Sequence, residues 1–253
     1  MNQKQLIDQW LQEEKVAHIH GWDFSHIHGR YEEEYDLPWD YEQIIRENLT
    51  DEKTLLDIDT GGAEFLLSLN HQYNKLSATE AYPPNVELCK KTLLSLGVDF
   101  KEADGTGELP FADESFDIVI NRHGDLNAKE IYRVLKPNGI SITQQVGAEN
   151  DRELVELLYN DVPPLPFPNQ YLNIAQEAFE KEGFTTLRAE EVFRPIKFLD
   201  VSALVWFAHI IEWEFPDFSV DKCLPNLLHA QEILEQKGAI EGRIHRFLLL
   251  VRK

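Results

Sequence analysis

The chain has 253 residues, 43% of them hydrophobic and 27% charged, which suits one α/β domain with additions. Its 24 Lys and Arg against 45 Asp and Glu give a formal net charge of -21. That field repels phosphate backbones and anionic lipid, so neither nucleic acid nor a membrane surface is an expected partner.

In chain order, residues 3–16 place Leu6, Ile7, Trp10 and Leu11 on one stripe, an amphipathic helix. A polar, aromatic stretch follows, "HIHGWDFSHIHGRYEEEYDLPWD". Asp40, with Gln43 three residues on, then starts a second helix over "IIRENL". From residue 53 strands alternate with helices: strand "KTLLDI", helix "AEFLLSLN", strand "KLSATE", then helix "PNVELCKKTLLSLG" with Pro near its start and Gly97 at its end. Strands "VDFKEA" and "SFDIVIN", the helix "NAKEIYRVL" closed by a turn at "KPNG", and the strand "ISITQQV" complete the alternation. The pattern predicts a parallel sheet wound on both faces, with right-handed crossovers. Beyond it lie a stiff "PPLPFP" linker, a helix "NIAQEAFEKEGF", a strand near "TTLRAEEVF", the aromatic segment "DVSALVWFAHIIEWEFPDF", a helix from about residue 225 to 237, and a last strand in "RIHRFLLLVRK". Cys89 and Cys223 fall outside any C-x-x-C spacing, so neither a disulfide framework nor a thiolate zinc site is indicated. The longest apolar run, "ALVWFAHII", is too short to cross a bilayer and the N-terminus has no apolar leader, so a cytoplasmic location is expected.

Ligands of open parallel sheets bind outside the carboxyl ends of the strands. The first strand ends at Asp57 and runs into Gly61 and Gly62, where backbone N–H groups are unscreened by side chains. The second ends at Glu80, some twenty residues on, a position from which a carboxylate accepts ribose hydroxyls. Asp104 follows the third strand and can accept from an exocyclic amine. The fourth presents Asn121, Arg122 and His123.

Together "LLDIDTGG", "ATEAYPPNVELCKKTL", "LPFADESFDIVINR" and "VLKPNGISITQQV" resemble the class I S-adenosylmethionine-dependent methyltransferases over roughly residues 53–145. More narrowly, "TGG-x-EF", "NRH" and "TQQVG" resemble a bacterial group within that class. The resemblance implies a Rossmann-like, doubly wound, seven-stranded, mostly parallel sheet in the order 3-2-1-4-5-7-6. It implies an N-terminal helical cap over residues 1–50 and a methyltransferase domain over 51–253, with an aromatic insertion at about 196–238 before the last strand. It also implies S-adenosylmethionine as cofactor, with Asp57, Asp59, Gly61 and Gly62 in the loop, Glu80 and Ala81 after the second strand, Asp104 and Gly105 after the third, and Asn121 after the fourth. The acceptor is then expected to be a small molecule.

The loop departs from the family's acid-x-Gly-x-Gly-x-Gly pattern: it reads Asp57-x-Asp59-x-Gly61-x-Ala63. Ala63 is expected to cost little at a helix start, whereas Asp59 suits a positive φ only if the position needs one. A degenerate, non-catalytic nucleoside-binding or regulatory protein of the same fold, impaired at Asp59, is therefore the alternative reading. A nicotinamide-dependent oxidoreductase ranks lower, because the G-x-G-x-x-G spacing is absent.

His123 titrates near neutrality and is the candidate general base, the competing role being to fix its loop through a backbone bond. Arg122 is a candidate for orienting a substrate acid. Trp22 and Trp206 are candidates for contact with an acceptor, while Leu204, Val205, Phe207 and Ile211 read as helix core. His18, His20, His26 and His28 form two H-x-H pairs able to share a metal in extended chain, but no further ligand signature frames them and no metal is expected.

Overall fold

The computed structural model describes residues 2–18, 23–33 and 36–253. Helix α1, Gln3–Val16, begins with a reciprocal capping box between Asn2 and Gln5. Helix α2, Tyr41–Asn48, is capped by Asp40, which accepts from the Gln43 backbone N–H at 2.9 Å. The second half of that box is missing, because the Gln43 side chain donates to Glu47 instead.

The strands are β1 (Tyr31–Glu33), β2 (Leu55–Ile58), β3 (Leu76–Glu80), β4 (Asp99–Glu102), β5 (Phe116–Arg122), β6 (Leu135–Val146), β7 (Thr185–Phe198) and β8 (Ile240–Arg252). Helices α3 (Glu64–Ser68), α4 (Pro83–Leu96) and α5 (Ala128–Val134) connect β2 through β6, and α6 (Arg152–Leu158), α7 (Leu172–Lys181), α8 (Val201–Ile210) and α9 (Val220–Lys237) follow. Every residue of β2 and β3 is buried, as expected of parallel strands covered on both faces. Gly97 ends α4 in the left-handed region, φ 88°, where a residue without Cβ carries no penalty.

Hydrogen bonding along the sheet runs β1-β7-β8-β6-β5-β2-β3-β4. Strands β2 to β6 pair in parallel, and β8 is antiparallel to β6. The sheet differs from the expected seven-stranded 3-2-1-4-5-7-6 arrangement by an eighth strand, β1, paired antiparallel to β7 at the edge. The expected turn at "KPNG" is also corrected. Strand β6 already pairs with β5 at Leu135, and Asn138, at φ 65°, lies within it near a register shift.

The chain forms two compact units. One comprises residues 38–147, 170–192 and 246–253 and holds the parallel strands. Its core packs Leu56, Ile58 and Val119 with Ile131, Phe179 and Leu249. The other comprises residues 1–37, 148–169 and 193–245, with a core of Trp10, Ile27, Leu154, Phe198, Leu204 and Trp206. Among the described residues, no helix is long and apolar enough to cross a membrane.

Candidate cofactor and acceptor site

The loop after β2 is built on three left-handed residues in alternation: Asp59 at φ 56°, Gly61 at φ 63° and Ala63 at φ 68°. These are the positions where the family pattern has glycine. Sequence reasoning expected little cost from Ala63, but at this φ a methyl group carries about 1–2 kcal/mol of strain. The backbone has the glycine geometry at two positions, Asp59 and Ala63, that lack glycine.

Glu80, 6% exposed, holds this loop. One carboxylate oxygen accepts from the Gly61 N–H at 2.7 Å, and the other accepts from the N–H groups of Ala81 at 2.9 Å and Tyr82 at 2.8 Å. From beneath, the Cys89 thiol of α4 donates to the Gly61 carbonyl at 3.2 Å. A Cβ placed on Gly61 would meet nothing within 4 Å, so the loop faces open space there.

Asp57, 5% exposed, accepts from the Thr60 hydroxyl at 2.6 Å. Burial pushes its carboxyl up to about 7; the Thr60 bond and Arg122 oppose the rise, and Asp59 and Glu80 add to it. Asp59 is raised to about 6, first by burial and also by Glu80, Asp125 and Asp104; a bond from the Asp125 N–H at 2.9 Å opposes the shift. The cluster therefore favours a cationic ligand.

Asp59 is accommodated because two glycines stand against it. A Cβ on Gly105 or on Gly124 would come within 2.6 Å of an Asp59 carboxylate oxygen, and on Gly124 also within 2.7 Å of the Asn121 amide nitrogen. Gly124→Ala is expected to cost about 2 kcal/mol in urea unfolding through overpacking. At least half of that cost is expected to disappear in an Asp59→Gly background, and equal costs in both backgrounds would contradict the contact.

Asp104 is exposed and engaged within its own turn, accepting from the Thr106 N–H and hydroxyl at 2.7 Å, and these bonds hold its carboxyl below the usual range. Asn121 was expected as a cofactor contact, but it is 1% exposed and committed to bracing. Its amide donates to the Ile58 carbonyl at 3.0 Å, while its oxygen accepts from Gln145 and Thr143 on β6. Tyr41 of α2 completes the brace, donating to the Asn121 carbonyl at 3.0 Å.

Arg122 is exposed with its guanidinium 4.6 Å over the Phe65 ring. His123 follows in the left-handed region, φ 62°, and its N–H donates to the Gln144 carbonyl at 2.9 Å. Solvent reaches His123, yet the protein around it, then Arg246 and Arg122, disfavour the imidazolium and hold the group down at about 3. It is therefore neutral at physiological pH but a weak base, which corrects the near-neutral titration expected from the sequence.

One expected acceptor contact does not belong to this site. Trp206 is 1% exposed in the core of the other unit, stacked on His26 at 5.2 Å and edge-on to Phe24 at 6.0 Å; its surface is spent on packing, which removes it as an acceptor contact. Trp22 lies outside the described residues, as does His20. Of the other histidines in those pairs, His18 bonds the Val16 carbonyl and His26 bonds Glu13. Leu204, Val205, Phe207 and Ile211 are core, as read from sequence. Thr60, Cys89, Gly124, Asp125 and Gln145 were not singled out by sequence reasoning; only Thr60, three residues from Asp57, carried a local signal. A shallow polar depression of about 480 Å³ on α2, lined by Asp40, Glu42, Gln43, Arg46 and Glu47, includes none of the site residues.

Residues 56–143, which contain most of this site, match the family model described as a methyltransferase domain. Over 88 residues the chain is 38% identical to the phthiotriol/phenolphthiotriol dimycocerosates methyltransferase of Mycobacterium tuberculosis. That match spans 31% of each protein, about a third of the relative's length. Among solved structures, the Bacillus halodurans protein BH2331 is similar with a TM-score of 0.58 and 17% identity, covering 85% of this chain and 98% of that one. YcgJ of Bacillus subtilis gives 0.54 and 19%, covering 84% and 97%. The fold is that of the class I methyltransferases.

Proposed function

We propose that the chain, built on a methyltransferase domain, binds S-adenosylmethionine at the ends of β2 to β5 and transfers its methyl group to a small-molecule acceptor. The observation that carries this reading is the loop itself: Gly61 opens onto free space, its N–H is fixed by Glu80, and Asp57 and Asp59 surround it with negative charge. S-adenosylmethionine, with a sulfonium and an ammonium against one carboxylate, is the kind of net cation this donor set suits. Gly61, Gly62, Glu80 and Ala81 would hold it, with Asp104 and Gly105 at the neighbouring strand end. Bound there it supplies an electrophilic methyl group.

The chain's own contribution is positioning. Glu80 and Cys89 hold the loop from two sides, and Asn121 ties β5 to β6 below it. His123, neutral at physiological pH, would accept a hydrogen bond from an acceptor hydroxyl such as a phenol and orient it, the proton passing on to solvent. Nothing in the geometry favours the non-catalytic alternative, because Asp59 packs against Gly105 and Gly124 and not ahead of Gly61. Isothermal calorimetry with S-adenosylmethionine and S-adenosylhomocysteine tests the reading. Saturable binding of both is expected, and absence of heat with either at millimolar ligand would sink it.

A further inference from the structure

In a chain with 45 acidic residues, arginines such as Arg30 and Arg133 make ion pairs with carboxylates. Arg122 makes none among the described residues. It is exposed at the end of β5, with its guanidinium carbon 4.6 Å from the centre of the Phe65 ring, which Tyr41 supports at 5.5 Å. A cation fixed on an aromatic face keeps its N–H edge available for a second partner.

The sheet register brings a second arginine to the same place. Arg122 is opposite Gln144 on β6, and two residues further on Val146 is opposite Arg246 on β8. In-register residues, and residues two apart, share a face, so Arg122 and Arg246 project from the same side of the sheet, two strands over and two residues along, roughly 12 Å apart. Both act on His123, which lies next to Arg122 in sequence. Arg122 also acts on the buried Asp57 carboxyl, so it links the acidic loop to His123 in a protein of net charge -21.

We propose that the acceptor is an anion, a small molecule whose carboxylate or phosphate is held by Arg122 next to His123. This deepens the methyl-transfer reading and rests on it. Planar, bidentate recognition of such groups is what a guanidinium offers and a lysine does not.

The test follows the His123 ring signal by NMR, identified by its loss in His123→Gln, in protein saturated with S-adenosylhomocysteine. Benzoate and inorganic phosphate are titrated separately. A saturable shift with one of them, lost in Arg122→Gln, is expected, and the anion that produces it identifies carboxylate or phosphate as the group bound. No saturable shift with either anion, or an equal shift in Arg122→Gln, overturns the proposal. A cofactor role for Arg122 is separated by calorimetry. If Arg122→Gln weakens S-adenosylmethionine tenfold but leaves 5′-methylthioadenosine unchanged, the guanidinium serves the cofactor's own carboxylate and the proposal falls. Failure of S-adenosylhomocysteine to bind the native protein removes the methyl-transfer reading instead, while an anion-dependent shift would still report the anion site.

Discussion

Asp57→Asn is expected to make the ligand-free protein more stable at pH 8 and to weaken S-adenosylmethionine binding at the same pH. Burial raises the folded-state pKa of Asp57 to about 7, against about 3.9 for an unfolded aspartate. The folded state therefore holds a proton that the unfolded state has already lost. The sign is that of a raised acid: its penalty is absent below about pH 4, grows by about 1.4 kcal/mol per pH unit and levels off above about pH 7. Asparagine keeps an oxygen for the Thr60 hydroxyl and cannot ionise, so at pH 8 the variant should gain a few kcal/mol, with about 4 kcal/mol as the ceiling. Urea unfolding from pH 4 to pH 8 reads this directly, and a gain that does not change with pH would refute the buried-carboxylate account. Binding should move the other way. A cationic ligand prefers the ionised cluster, so calorimetry at pH 8 should show at least tenfold weaker binding in the variant. In the native protein, affinity should rise between pH 5.5 and pH 8 as Asp57 and Asp59 ionise.

Glu80→Gln should have the opposite effect on stability, although it too replaces a buried carboxylate of the same site with its amide. Glu80 accepts three backbone N–H groups at 2.7 to 2.9 Å, two on one oxygen and one on the other. Glutamine must turn its NH₂ toward one of those donors, breaking at least one bond and leaving a buried N–H facing another donor. A buried donor left unsatisfied costs about 1–3 kcal/mol, so a loss of about 2 kcal/mol is expected in urea unfolding. Because one of those donors is Gly61, the loop loses its fixed end, and S-adenosylmethionine affinity should fall by 10- to 100-fold. Native affinity in the variant would show that the loop holds its shape without Glu80. The two substitutions together separate a carboxylate that is unfavourably buried from one that organises the backbone.

Much of the frame was legible without coordinates. The short strand segments ending in an acid near 57 and 80, the helix between Pro83 and Gly97, and the Asp40 cap are local signals, and local signals survive folding. The edge strand β1 was not legible, because three residues reading Tyr-Glu-Glu carry neither period nor hydrophobicity; only pairing with Phe198, Lys197 and Ile196 makes them a strand.

The site divides in the same way. That acids and glycines end successive strands is written in the sequence and follows from the alternation of strand and helix. What each acid does was decided by groups distant along the chain. Glu80 reaches nineteen residues back to the loop, Asn121 is taken up by Gln145 and Thr143 on a neighbouring strand, and Asp59 fits only because Gly105 and Gly124 leave room. Trp206 went to the core for the same reason: its partners, Phe24 and His26, come from a segment 180 residues away. Spacing along a chain sets which backbone geometry is available, but desolvation, hydrogen-bond partners and room for a side chain are set by neighbours in space, and folding alone brings those together.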